Sequence, residues 1–334
     1  MSRIRGSKSV NAAGTALILI GIVLALGWAA TRIIVQKNLK NYSPAGKQIC
    51  SRSGTCLHGI VRGEGKPVVL LHGDGGTSAD WKLSVLNSLS EDYQVIALDR
   101  PGFGFSPIHS PGTRPVEQVE LIREVLLEMD LDDPILMGHS RGGNLALIYG
   151  LLYPEEIQGI VTLAAAPYGG SVGWYSRVLA APVIGRLLAH TWAVPPSRPL
   201  VRAGLESAFG PAHEPPEDYL RTYTAFELRP GQLLAHARDQ VWGREQIDWM
   251  AEGYSDLEVP LVILHSADDQ NVPFEQALKL HASAPCSRLL ELSDAGHEIM
   301  FTRPDLVKFG LTMLENYPGP HSADEAAGPD SCSR

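Results

Sequence analysis

The sequence predicts an α/β fold: a mostly parallel, doubly wound sheet with a helical cap inserted over one end. Two observations carry this. From Leu57 onwards, short apolar runs alternate with amphipathic stretches, the order expected of parallel strands joined by crossover helices. The rhythm breaks once, over about 90 residues that follow Ala165, too long a stretch for a structureless loop in a compact domain.

The first strong run, 67–71, reads Pro-Val-Val-Leu-Leu and ends at His72-Gly73. Runs at 93–99, 134–137, 157–164 and 259–264 repeat the pattern, and 288–292 is the last. Unbroken apolar runs of this length suit strands buried on both faces. Helices are expected at 79–89, 116–129, 142–153 and 274–284. In the second of these, Val116, Val119, Leu121, Ile122, Val125, Leu126 and Met129 recur at helical spacing. Within the interruption, helical patches at 175–188 and 233–250 are separated by Pro195-Pro196, Pro199 and Pro215-Pro216. Trp174, Trp192, Trp242 and Trp249 also fall there. Residues 168–250 are assigned to the cap, inside a domain running from 57 to 317.

The amino terminus differs in kind. Arg3, Arg5 and Lys8 precede a run, 10–31, that holds no ionisable side chain, with Trp28 near its end and Arg32 beyond it. About 20 apolar residues cross a bilayer, so the run is long enough to span. A secretory signal shares these parts, and Gly27-Trp28-Ala29 before Ala30 has the small-x-small pattern of a cleavage site. The basic flank and terminal position favour a retained anchor over residues 1–37, with the amino terminus cytoplasmic and the rest of the chain extracytoplasmic. Residues 38–56 read as a linker. The tail, 318–334, is rich in Pro, Gly, Ser and acids and is expected to be disordered.

Cys50 and Cys56 flank a short polar loop, and either a disulfide or two free thiols fits there; Cys286 and Cys332 have no obvious partner. Metal-type cysteine spacing is absent. A net charge of −9 and the lack of any Lys/Arg-rich block argue against nucleic acid as a partner.

Gly138-His139-Ser140-Arg141-Gly142 fits G-x-S-x-G between an expected strand and an expected helix. That context turns a weak five-residue pattern into a candidate nucleophile, because a sharp strand-to-helix turn projects the serine above the sheet. Serine needs a base and an orienting acid, and for this turn type they follow in the order acid, then histidine. His297, in Ser293-Asp-Ala-Gly-His-Glu298 after the last run, is the expected base. Asp269, at the end of the 259–264 strand, is the expected acid; its neighbour Asp268 is the rival, and the spacing to Val272-Pro273 favours Asp269. His72-Gly-Asp-Gly-Gly76 follows the first run, and the backbone amides of Asp74 and Arg141 are the expected donors to a developing oxyanion.

With these motifs in order, and with Leu98-Asp-Arg-Pro-Gly-Phe-Gly-Phe-Ser106 among them, the chain from about Leu57 to Tyr317 resembles α/β-hydrolase enzymes. The resemblance implies a cap over the active site, no cofactor and a small-molecule substrate. Serine at 140 is unlike the epoxide hydrolases and dehalogenases of that family, which use aspartate there. Asp74 departs from the apolar residue often found at its place, putting a carboxylate at the pocket mouth. The expected activity is hydrolysis of a neutral, hydrophobic carboxylic ester through an acyl-enzyme. Cleavage of an amide, a lactone or a carbon–carbon bond stands as the alternative, because fold and triad do not fix the scissile bond. An inert, membrane-tethered binding module is the non-enzymatic reading.

Overall fold

The computed structural model describes residues 8–108 and 114–317, so the expected disordered tail lies outside the described residues. Eight strands form one sheet in the order β1-β2-β4-β3-β5-β6-β7-β8. The strands are β1 (Lys47–Cys50), β2 (Cys56–Arg62), β3 (Lys66–Leu71), β4 (Tyr93–Leu98), β5 (Ile135–His139), β6 (Gly159–Leu163), β7 (Leu261–Ser266) and β8 (Ser287–Leu292). From β4 through β3 to β8 all pairs are parallel, while β1 and β2 join antiparallel at one edge.

The apolar runs are central because both faces of the sheet are covered. Alternation of side chains sends Val69, Leu71 and Leu136 to one face, against Ile122 and Val125 of helix Pro115–Glu128 and Leu145 of helix Arg141–Leu152. Val68, Leu70, Ile135 and Met137 point the other way, against Trp81, Leu86 and Leu311. Each such side chain contributes about 1.5–3 kcal/mol on burial. Parallel strands also bring the carboxyl ends of β3, β5, β7 and β8 to one edge, where pockets of open α/β sheets form.

Three local expectations are corrected. The segment 38–56 is not a plain linker, since β1 lies within it and pairs Cys50 opposite Cys56, with a disulfide between them. Cys286 is buried and disulfide-bonded, against the expectation that it lacks a partner. The helix expected at 79–89 is two pieces, Ser78–Leu83 and Leu86–Leu89, because Ser84 leaves helical geometry and its hydroxyl caps the Asp80 carbonyl at 2.7 Å.

Between β6 and β7 stand six helices: Trp174–Ala180, Ile184–His190, Val194–Ala208, Glu217–Glu227, Pro230–Glu245 and Ile247–Gly253. The prolines start helices more than they break them. Pro230 opens its helix and Pro216 caps the one before, positions that need no backbone N–H. The amino-terminal helix, Lys8–Leu39, lies against this layer, with Thr31 Oγ1 donating to the Thr191 carbonyl at 2.7 Å.

Candidate active site

Ser140 sits between β5 and helix Arg141–Leu152 with φ 50° and ψ −116°, a left-handed backbone that a non-glycine residue holds only under constraint. Its amide donates to the Leu163 carbonyl at 2.8 Å, fastening the turn to β6. The flanking glycines are required by space. A Cβ on Gly138 would fall 2.3 Å from the Gly142 carbonyl, and one on Gly142 would fall 2.0 Å from that of Leu71. Arg141 opens the helix, so its N–H has no intrahelical acceptor.

His297 and Asp269 meet from two loops. His297 Nδ1 lies 2.7 Å from Asp269 Oδ2, while Asp269 Oδ1 accepts from the amides of Asn271 and Val272 at 2.8 and 2.9 Å. Burial works against charge on this carboxylate, but His297, the His265 ring 3.3 Å away and the Val272 amide hold it below the ordinary range. Burial likewise disfavours imidazolium at His297, and the Asp269 carboxylate outweighs it, raising the histidine above its usual value. Asp268 does something else: its Oδ2 accepts from the Asp294 amide at 2.6 Å, stapling the loop that carries His297.

Two neutral histidines, one from each of the two glycine-bearing turns, position these groups. His139 Nε2 donates to the His297 carbonyl at 3.0 Å, and burial together with the charge on His297 lowers its pKa to about 3. His72 Nδ1 donates to the Gly73 carbonyl at 2.9 Å and Nε2 accepts from the Arg100 amide at 3.0 Å, which fixes its tautomer. Gly73 in turn backs onto Ser140, since a Cβ there would lie 3.1 Å from that of Ser140. The turn bearing the Asp74 amide is thus pressed against the serine.

The Asp74 side chain contradicts the expectation of a bare carboxylate at the mouth. Oδ1 lies 3.5 Å from Arg141 Nε and 3.9 Å from Arg100 Nη2, and Oδ2 lies 4.0 Å from His236 Nε2. Burial opposes ionisation of Asp74, yet Arg141, His236 and Arg100 hold it below the usual carboxylate range. His236 is itself pushed up to about 9, because the Glu227 carboxylate 2.6 Å from its Nδ1 outweighs burial. Arg100, wholly buried, bonds Asp239 Oδ2 at 2.9 Å and the Gly73 carbonyl at 3.0 Å. Three cations therefore face three carboxylates, and the basis for repelling anionic substrates disappears.

Ser140, His297, Arg141 and Asp74 line one cavity of about 920 Å³ beneath the cap, shared with Glu298 and Arg244. Burial raises Glu298 to about 7, and its charge in turn helps to raise His297. A base must be neutral to take a proton, so with His297 in that role kcat/KM is expected to rise with pH through a midpoint above the ordinary imidazole value. Glu298→Gln removes a negative neighbour and destabilises imidazolium. The acidic limb of the kcat/KM profile is then expected to move to lower pH; a limb that moves upward or stays fixed contradicts the coupling.

A family profile of the α/β hydrolase fold matches residues 66–304. A 2-hydroxy-6-oxo-2,4-heptadienoate hydrolase from Pseudomonas putida is 29% identical over 251 residues, covering 73% of this chain and 86% of that protein. A 2-hydroxy-6-oxononadienedioate/2-hydroxy-6-oxononatrienedioate hydrolase from Burkholderia vietnamiensis is 26% identical over 253 residues, 74% of this chain and 85% of that one. Among solved structures, an esterase from Exiguobacterium antarcticum is similar with a TM-score of 0.65 and 25% identity, over 81% of this chain and 99% of the esterase.

Proposed function

The chain belongs to the α/β-hydrolase fold family, and from that premise we propose that it is a serine hydrolase cleaving a carbon–carbon bond beside a ketone in an anionic substrate. The observation that carries this is the likeness, over most of both chains, to hydrolases named for 2-hydroxy-6-oxo dienoic acids. The cavity supports it: the half-buried Arg141 lines it, and its Nε and Nη1 are buried with no hydrogen bond within the protein.

In the proposed reaction Ser140 Oγ attacks the ketone carbon while its proton passes to His297, whose opposite nitrogen Asp269 holds. The amides of Asp74 and Arg141 receive the developing oxyanion. Collapse breaks the bond to the leaving group, and His297 returns the proton to it. Water, deprotonated by His297, then attacks the acyl carbon; the bond to Ser140 Oγ breaks, the carboxylic acid leaves, and His297 returns the proton to Oγ. A carbanion leaves far less readily than an alkoxide, so the substrate must spread that charge into a conjugated acid, and a cation such as Arg141 favours such a group.

Ester hydrolysis is the second reading, favoured by the likeness to the esterase and by the same triad chemistry. The test compares kcat/KM for a 2-hydroxy-6-oxo dienoate with that for a p-nitrophenyl ester of the same acyl group. The dienoate is expected to be the better substrate, and Arg141→Met to weaken it about tenfold or more while sparing the neutral ester. A preference for the ester, indifferent to Arg141, reverses the order of the two readings.

We further infer that helix Lys8–Leu39 anchors the chain in a membrane, with the hydrolase domain on the extracytoplasmic side. The helix is long and apolar enough to cross, and little of that segment is buried in the protein. The Cys50–Cys56 disulfide supports an oxidising compartment. Full-length protein is expected to stay with membranes through carbonate extraction; a soluble mature chain beginning near Ala30 contradicts the anchor.

A further inference from the structure

The amino-terminal helix does not stand clear of the cap. Trp192 donates Nε1–H to the Val23 carbonyl at 3.1 Å, and a Cβ on Gly27 would fall 2.6 Å from that nitrogen. Thr31 bonds Thr191, and Ile34 packs against the cap cluster of Leu179 and Val194. Crossing hydrocarbon requires about 30 Å of helix, or about 20 residues. Residues 10–22, ahead of these contacts, rise only about 20 Å. The run 10–31 therefore spans a bilayer only if its second half lies at membrane depth, and Trp192 and Thr191 are fastened to that half.

The adjoining cap surface has the composition such a position demands. Val183, Ile184 and Leu187 stand exposed beside Trp192, and Trp174 and Leu200 are 75% and 66% exposed. In a chain of net charge −9, no carboxylate occurs between Glu156 and Glu206, whereas Arg177, Arg186, Arg198 and Arg202 do. All four arginines are exposed, and Arg202 pairs with Glu206 on its own helix. Apolar and aromatic side chains interleaved with arginine match a bilayer interface carrying anionic lipid. Leu200 and its neighbour Val201 also line the active-site cavity, so the mouth of the cavity borders this face.

We propose that the outer face of the cap, around helix Ile184–His190, is seated in the headgroup region of the bilayer that the amino-terminal helix enters, against anionic phospholipid. The proposal rests on the anchor reading. Substrate then enters the cavity from the lipid surface, which favours amphiphiles that partition there.

The test uses the full chain in vesicles of phosphatidylcholine, with or without phosphatidylglycerol. An environment-sensitive fluorophore is placed at Ile184→Cys, and at Phe309→Cys, an exposed position on helix Pro304–Glu315, as control. Brominated lipid is expected to quench the label at 184 about threefold more than that at 309, with iodide showing the reverse order. Arg186→Glu with Arg198→Glu is expected to reduce lipid quenching at 184 only when phosphatidylglycerol is present. Equal iodide access at both positions, in protein that resists carbonate extraction, overturns the cap surface alone. Protein released by carbonate overturns the anchor reading and this inference with it.

Discussion

Asp269→Asn is expected to lower kcat by about 10,000-fold, while Asp268→Asn costs less than about tenfold. The two side chains are adjacent in sequence but hold different things. Asp269 takes the Nδ1–H of His297 on one oxygen and two backbone amides on the other. An asparagine held by those same amides turns its NH2 towards His297 Nδ1. That forces the proton onto the opposite nitrogen, which can then no longer accept one from Ser140. Asp268 only accepts from the Asp294 amide, and asparagine keeps an acceptor oxygen for that bond. Steady-state kinetics of the two variants decide the matter, and a larger loss at position 268 contradicts the assignment.

The second large effect is on stability. Asp239 stands on cap helix Pro230–Glu245, is 1% exposed, and receives Arg100 Nη1 at 2.9 Å and Gln118 Nε2 at 2.8 Å. Asp239→Leu leaves the Arg100 guanidinium buried without its main counter-charge, at a cost of about 3–5 kcal/mol. For a domain of this size the unfolding midpoint should fall by roughly 10 °C. Arg100→Met is expected to cost a similar amount. The double variant should recover most of the loss, because an apolar pair leaves no orphaned charge. Thermal unfolding of the three variants checks this. Additive losses in the double variant contradict the view that the penalty lies in the unpaired charge.

Much of this was legible in the sequence for identifiable reasons. β3, β5, β6 and β7 announce themselves because burial on both faces leaves no room for polar residues. Ser140, Asp269 and His297 announce themselves because they follow strands at one edge in a fixed order, and the structure brings Asp269 and His297 into contact beside the Ser140 turn. β1 was missed because Lys47-Gln-Ile-Cys50 is largely exposed at the sheet edge and carries no apolar signature. In the Leu98–Ser106 stretch, Asp99 ties the turn together, accepting from the amides of Ser78 and Phe105 at 2.6 and 2.8 Å. The partner of Arg100, however, lies far along the chain in the cap, and no local pattern predicts which carboxylate a buried arginine will meet. For the same reason Asp74 read as an unopposed charge. An amphipathic pattern says which side of a helix is apolar, but not what covers it, so the seating of the amino-terminal helix on the cap was equally out of reach.

With Ser140 proposed as an activated nucleophile, the decisive measurement is covalent labelling by a fluorophosphonate probe. The full-length protein is treated with the probe, digested and mapped by mass spectrometry, in parallel with Ser140→Ala. One covalent adduct is expected, on Ser140, with a rate of formation that falls as pH drops and His297 takes up a proton. No adduct in folded protein, or an adduct that survives Ser140→Ala, contradicts it.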